Sequence, residues 1–302
     1  MFNVAYQRNE LRGVLRFNEP MSLHTSWRVG GPADRFYEPA DIEDLIAFLR
    51  QLPLEEPLTF IGLGSNLLVR DGGICGAVVC TAGVMDGHAF IDDATLRVGA
   101  GMPCAKVARI TAQQGYTGAE FLAGIPGTLG GALAMNAGAF GGETWRLVKR
   151  VETLDRRGNL YAREPSEFQI GYRLVRGQVG EWFVSADLAI LRASLGDGLR
   201  RIKALLARRA ETQPMGQPSC GSVFRNPPGD YAGRLIEGCG LKGFRIGDAA
   251  VSEKHANFII NLGQAKAVDI EALIAHVQET VARARGVALV PEVKIIGEAS
   301  PG

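Results

Sequence analysis

Residues 124–142 read GIPGTLGGALAMNAGAFGG, and the interpretation of the protein turns on what so glycine-rich a stretch is for. Seven of its nineteen residues are glycine. Each ordered glycine costs more backbone entropy than any other residue, so the composition predicts neither a stable packed helix nor a strand. Successive exposed N–H groups form an anion-binding concavity, which suits a flavin or a nucleotide pyrophosphate. Tight surface turns are the plainer reading. Leu129, Ala132, Leu133 and Ala134 nevertheless read as buried, which solvent turns are not.

A second glycine-bearing segment, Gly62–Leu68 (GLGSNLL), follows a short strand expected at Thr59–Leu63. It begins like a dinucleotide fingerprint but lacks the third glycine and the following helix, so a Rossmann unit is not expected. Alone it fits a strand-turn or a phosphate loop equally; beside the first stretch, two loops gripping one long ligand become the better account. Strands are also expected at Ala77–Thr81, Thr95–Val98 and Trp182–Leu191. Val151–Leu154 and Leu160–Ala162 read as a hairpin about Asp155–Asn159. Helices are expected over Ile42–Leu52, capped by Asp41, and from Pro103 to about Gly115. The residues before Ser22 read as a mobile start.

The composition shifts at Gly196–Pro218, where Leu199, Ile202, Leu205 and Leu206 mark an amphipathic helix and Pro214, Gly216 and Pro218 break it. This connector leads to a second module. It holds a helix near Tyr231–Cys239, a strand at His255–Asn261, an amphipathic helix from Asp269 to Arg285 and a last strand, Val287–Ile296. Gly286 suits the helix C-cap. Strands and helices are mixed without a repeat, which is α+β in character.

At 302 residues the protein has room for two or three domains with their own cores. A formal net charge of +1 points to neither a nucleic-acid binder nor a membrane-surface protein. The basic face carrying Arg200, Arg201, Lys203, Arg208 and Arg209 reads as solvated. No stretch has the length of a signal or membrane-spanning segment. Five cysteines without a CxxC pair suit reduced thiols in a cytoplasm, and four scattered histidines predict no metal. No obligate protein partner is evident.

Three smaller features stand apart. Gly171–Arg173 (GYR) sets an aromatic beside a guanidinium, and on these residues alone a surface Tyr and Arg in an edge strand is the plainer reading. Gly221–Pro227 (GSVFRNP) reads as a loop presenting Ser222, with no histidine near enough in sequence to support a hydrolase triad. Cys220 beside it is a buried thiol or a nucleophile. Glu292 puts one carboxylate into the otherwise apolar last strand. There it is either exposed or, if buried, raised in pKa and able to donate a hydrogen bond.

The series GLGSNLL, GIPGTLGGALAMNAGAFGG, GYR, GSVFRNP, AGRLIEGCGLKG (Ala232–Gly243), HANFIIN and PEV resembles the UDP-N-acetylenolpyruvoylglucosamine reductase family over nearly the whole sequence. The resemblance implies the two-subdomain FAD-binding fold of vanillyl-alcohol oxidase and p-cresol methylhydroxylase plus a C-terminal α+β substrate domain. Divided accordingly, residues 1–84 and 85–196 form the FAD-binding subdomains and 197–302 the substrate-binding domain. The short route from GYR to the connector looks like the shorter subtype, without an inserted substrate-covering loop. By motif, Gly62, Gly64, Ser65, Asn66 and Leu67 would hold the FAD pyrophosphate, and Gly124, Pro126, Gly127, Gly131, Asn136 and Gly138 would line the flavin. Arg173, Ser222 and Glu292 match the catalytic positions, while Tyr172, Asn226, Lys242 and Asn257 would face the nucleotide sugar. The family binds FAD non-covalently; His24, His88 and Cys75 leave the mode of attachment open here.

The implied reaction reduces the enolpyruvyl ether of UDP-GlcNAc-enolpyruvate to the lactyl ether of UDP-N-acetylmuramate, a peptidoglycan precursor, with NADPH as hydride donor. Charge pushed into the substrate carboxylate calls for a cation and a hydrogen-bond donor, roles that fall to Arg173 and Glu292. Ser222 would give the proton. No second dinucleotide motif is present, so NADPH and the sugar nucleotide are expected to take turns in one cleft. The alternatives are a flavin oxidase of the same fold acting on a small alcohol or sugar, and a nucleotide-sugar binding protein without catalysis. Arg173, Ser222 and Glu292 together argue against the second.

Overall fold

The polypeptide passes repeatedly between two units. The computed structural model describes residues 11–300. Of the described residues, the first unit takes in 11–17, Arg35–Gly62 and Gly76–Leu205; the second takes in Asn18–Asp34, Leu63–Cys75 and 206–300.

In the first unit, α1 (Ile42–Gln51) begins where Asp41 accepts the Asp44 N–H at 2.9 Å, as its side chain predicts. Leu45, Phe48 and Leu49 lie on one face and are buried with Tyr37, Ala77 and Val79. Leu58–Ile61 and Ala77–Cys80 pair in parallel beside them. A five-stranded antiparallel sheet runs in the order Leu160–Arg163, Val148–Asp155, Glu181–Ala189, Thr95–Gly99, His88–Asp92. Its first hairpin is the predicted one, turned by Asp155, which accepts the Arg157 and Asn159 N–H groups. Helix α2 (Cys104–Gln113) shares a core with this sheet through Val107, Leu96, Val98 and Leu188.

The glycine stretch departs from expectation: Leu129–Met135 is a helix, α3. Thr128 caps it by accepting the Gly131 N–H at 3.3 Å, and Asn136, at φ +47°, ends it in the left-handed region. Leu129, Ala132 and Leu133 share a buried face, as an i, i+3, i+4 set must, whereas Ala134 points away and is exposed. Gly130 sits so close to Ala100 that a Cβ would lie 3.0 Å from the alanine methyl, so the helix owes that glycine to packing. Burial of one apolar face thus outweighs the glycine penalty.

Helix α4 (Asp197–Thr212) leads out of the first unit. In the second, α5 (Ala232–Glu237) and α6 (Ala267–Arg285) cover a sheet of Arg245–Ile246, Ala249–Val251 and Ile259–Asn261. Ile270, Leu273, Ile274, Val277 and Val281 form the buried face of α6 as predicted, and Gly286 closes it at φ +68°. Asp71 accepts the Ala267 and Val268 N–H groups at 2.9 Å each, satisfying two donors of its first turn. Trp27 is fully buried; its indole N–H donates to Ile259 C=O at 2.7 Å.

Three expectations are corrected. The supposed mobile start includes the strand Val14–Pro20, while residues 1–10 lie outside the described residues. Only Ile259–Asn261 of His255–Asn261 is strand, because Phe258 N–H turns back to His255 C=O at 2.9 Å. The last strand shrinks to Lys294–Ile296, paired in parallel with Leu67–Val69. Pro291 has no N–H to give and makes only an isolated bridge with Phe224. Among the described residues no helix is long and apolar enough to cross a membrane.

Candidate active site

In the first unit the glycine stretch presents Arg173. That residue follows the strand Gln169–Gly171 at φ +54°, and its guanidinium donates to the carbonyls of Gly138 (2.9 Å) and Asn136 (3.4 Å). Tyr172 lies half-exposed, with the Arg173 guanidinium 5.3 Å from its ring centre. The Asn136 side chain is buried and fully engaged by neighbouring segments of this unit. It donates to Gly171 C=O at 3.0 Å and to Glu143 at 3.2 Å, and accepts the Trp145 N–H at 3.1 Å. Asn136 therefore holds GYR against the glycine stretch. Gly62 abuts Thr128, so a side chain there would overlap the residue that caps α3; Gly124 and Gly138 are closed in the same way by Phe140 and by Gly142 C=O. Gly131 differs. It is exposed, a Cβ would make only an ordinary contact with Thr128, and its bare backbone is open to a flat ligand. Pro126 is exposed and Gly127 half-buried on the same loop. In this unit, then, Gly131, Pro126 and Gly127 leave backbone open to a flat cofactor such as FAD, while Gly62, Gly124 and Gly138 answer to packing.

In the second unit, hydrogen bonds join residues far apart in sequence. The Asn66 amide donates to Glu292 C=O at 3.1 Å, and Lys294 N–H returns to Asn66 C=O at 3.0 Å. Glu292 N–H donates to Val223 C=O at 2.7 Å, placing the half-buried Glu292 beside the loop of Ser222. Gly64 is buried at φ +58°, with Ser65 and Leu67 half-buried after it. Ser222 lines a cavity of about 370 Å³ with Asn226, Tyr231, Lys254, His255 and Asn257. Asn226 is also the start signal of α5, accepting the Ala232 N–H at 3.1 Å. Lys242 forms an ion pair with Glu237, a cavity residue, at 2.7 Å. Burial pushes the Cys220 thiol up to about 12, and its Sγ donates to Leu67 C=O at 3.4 Å; this is a structural thiol that pins the glycine loop.

Family models match two parts of the sequence: "FAD binding domain" over residues 33–162 and "UDP-N-acetylenolpyruvoylglucosamine reductase, C-terminal domain" over 213–296. A curated UDP-N-acetylenolpyruvoylglucosamine reductase from Methylococcus capsulatus is 61% identical over 288 residues, 95% of each protein. The chain belongs to the UDP-N-acetylenolpyruvoylglucosamine reductase family. The reductase of Alkalilimnicola ehrlichii is 58% identical over 98% of this protein and 99% of its own length. The crystal structure of the Thermus caldophilus family member superposes with a TM-score of 0.81 at 34% identity, covering 94% of this protein and 99% of that one. The α+β class and the family expected from the motifs both hold.

Sequence reasoning missed several cavity residues, Lys254 and His255 among them. His255 reads as the first residue of a strand and Lys254 as the residue before it, yet the turn there faces both into the cavity. Burial keeps the His255 imidazole below its usual pKa, and its Nδ1 accepts the Asn257 N–H at 3.2 Å, which leaves the ring proton on Nε2. The available signal was the density of polar residues in SEKHAN, too many for a buried strand.

Proposed function

We propose that this protein is an NADPH-dependent, FAD-containing reductase that converts the enolpyruvyl group of UDP-GlcNAc-enolpyruvate to the lactyl ether of UDP-N-acetylmuramate. What carries the reading is the hydrogen-bonded run Asn66–Glu292–Val223, which sets a glycine loop, a carboxyl and the Ser222 segment side by side in a family member. The Gly62–Leu67 loop would hold the FAD pyrophosphate and the open backbone around Gly131 would line the flavin, and the cofactor would supply two-electron chemistry between NADPH and the substrate double bond. Arg173, held by the carbonyls of Asn136 and Gly138, brings the cationic charge that the substrate carboxylate needs as charge accumulates there. Glu292 takes the hydrogen-bond donor role that the resemblance assigns to it. Ser222 Oγ holds the proton for the carbon that becomes carbanion-like, an acceptor basic enough for a weak hydroxyl acid. Asn226 and Lys242 bind the nucleotide sugar beside the cavity of Ser222, and Tyr172 adds an aromatic face. The work belongs in the cytoplasm, on the route to peptidoglycan.

The protein should be yellow, bleach with NADPH under argon, and regain colour when UDP-GlcNAc-enolpyruvate is added. Colour restored by air but not by that substrate would turn the assignment toward an oxidase. Glu292→Gln should retain at least about ten times the reoxidation rate of Glu292→Ala, because it keeps a donor in place. Equal losses in stopped-flow traces would show that a carboxyl is needed for more than its hydrogen bond.

A further inference from the structure

The segment that follows Ser222 is held in register by a side chain where a neighbouring strand would ordinarily stand. On one side of Val223–Arg225, Glu292 N–H donates to Val223 C=O at 2.7 Å and Arg225 N–H to Val290 C=O at 2.9 Å. Asn257 occupies the other side. Its own peptide carbonyl accepts the Val223 N–H at 2.8 Å. Its Oδ1 accepts the Phe224 N–H at 3.0 Å, and its Nδ2 donates to Phe224 C=O at 2.8 Å. A carboxamide presents a donor and an acceptor side by side, as a peptide unit does. Here it pairs with Phe224 as a strand would. Asn257 is 3% exposed and Val223 and Phe224 no more so, which makes these bonds costly to leave unmade.

The sugar-facing role expected for Asn257 fits poorly with a carboxamide whose oxygen and nitrogen are both engaged by backbone. We propose instead that Asn257 is a positioning residue. Its carboxamide fixes the register of Val223–Arg225, and through it the placement of the Ser222 hydroxyl relative to the Glu292 carboxyl. Because side chains alternate along an extended segment, a slip of one residue would turn Ser222 to the opposite face. This role rests on the reading of Ser222 as proton donor.

Asn257→Asp tests it with little change of volume. The variant keeps an acceptor for Phe224 N–H and sets a carboxylate oxygen against Phe224 C=O. Reduction of the flavin by NADPH should stay within about twofold and substrate Kd within about threefold, while reoxidation by substrate falls about 100-fold, the usual cost of a small misplacement. The double variant Ser222→Ala/Asn257→Asp should be no slower than Ser222→Ala alone, since residues that act as one unit are not additive. Amide exchange at Val223, Phe224 and Glu292 should quicken in Asn257→Asp. A raised Kd with an unchanged saturating reoxidation rate would make Asn257 a substrate contact and overturn the proposal; additive losses would overturn it too. Should the variant fail to fold, the wild-type exchange pattern decides, and a Phe224 amide no better protected than an open loop counts against Asn257. That readout is independent of catalysis. Wild-type protein that the enolpyruvyl substrate cannot reoxidise would instead defeat the assigned reaction.

Discussion

Ser222→Ala is expected to reduce with NADPH at close to the wild-type rate and to be reoxidised by UDP-GlcNAc-enolpyruvate about 1,000-fold more slowly. A positioned acid contributes roughly 10²–10⁴-fold to a proton-transfer step. Alanine removes only the hydroxyl, while the segment behind it stays fixed by Phe224, Glu292 and Asn257. Reduction by NADPH needs no proton from this residue, so the two half-reactions separate. Stopped-flow absorbance measures both in one preparation, and oxygen offers a third trace that should match wild type. Half-reactions slowed to the same degree would remove Ser222 from the proton-donor role.

The second large effect belongs to Gly64. A Cβ built there would fall on the carbonyl of His24, a backbone atom with nowhere to go, and the residue sits at φ +58°. The left-handed conformation costs an ordinary residue about 1–2 kcal/mol. Overpacking a closed site adds about 1–3 kcal/mol. Gly64→Ala should therefore lose about 2–5 kcal/mol and, because Ser65–Leu67 move with it, come off purification with little bound FAD. Gly180→Ala is the matched control: φ is +80° there and no atom lies within 4 Å of the added carbon. It should show the conformational cost alone and keep its yellow colour. Thermal melts and the ratio of flavin to protein absorbance read both quantities. Equal melting shifts for the two variants would mean that the clash with His24 relaxes away.

The sequence was most informative where structure is local. Asp41 before an apolar run, the Asp155–Asn159 turn and the α6 stripe ending at Gly286 each declare an element within a short span of residues, and each was found. The glycine stretch misled because its composition was read without its caps. Thr128, three residues before Gly131, and Asn136 after Met135 are ordinary helix boundaries, and Ala100 is the distant partner that makes Gly130 obligatory. Glu292 and Asn257 were singled out by motif, yet what each does depends on partners 69 and 33 residues away, counting Val223 for the first and Phe224 for the second. Apolar periodicity carries no trace of a carboxamide that pairs with a backbone. His255 escaped for the related reason that a turn occupies the start of what reads as one strand, and Lys254 because it falls in no expected element.

The pairing of Leu67–Val69 with Lys294–Ile296, and the Asn66–Glu292 contact across 226 residues, also bear on how the protein folds as it is made. The second unit cannot assemble while its last strand is still unsynthesised. Trp27 and the Gly64 loop emerge from the ribosome early, and their partners follow tens of seconds later at ordinary elongation rates of about 5–20 residues per second. Closing so long a loop is slow relative to local helix formation, and apolar surface stays uncovered meanwhile. Nascent polypeptides stalled before residue 294 should thus bind chaperones through the segment around Trp27, a burden that a protein with sequentially ordered domains would escape.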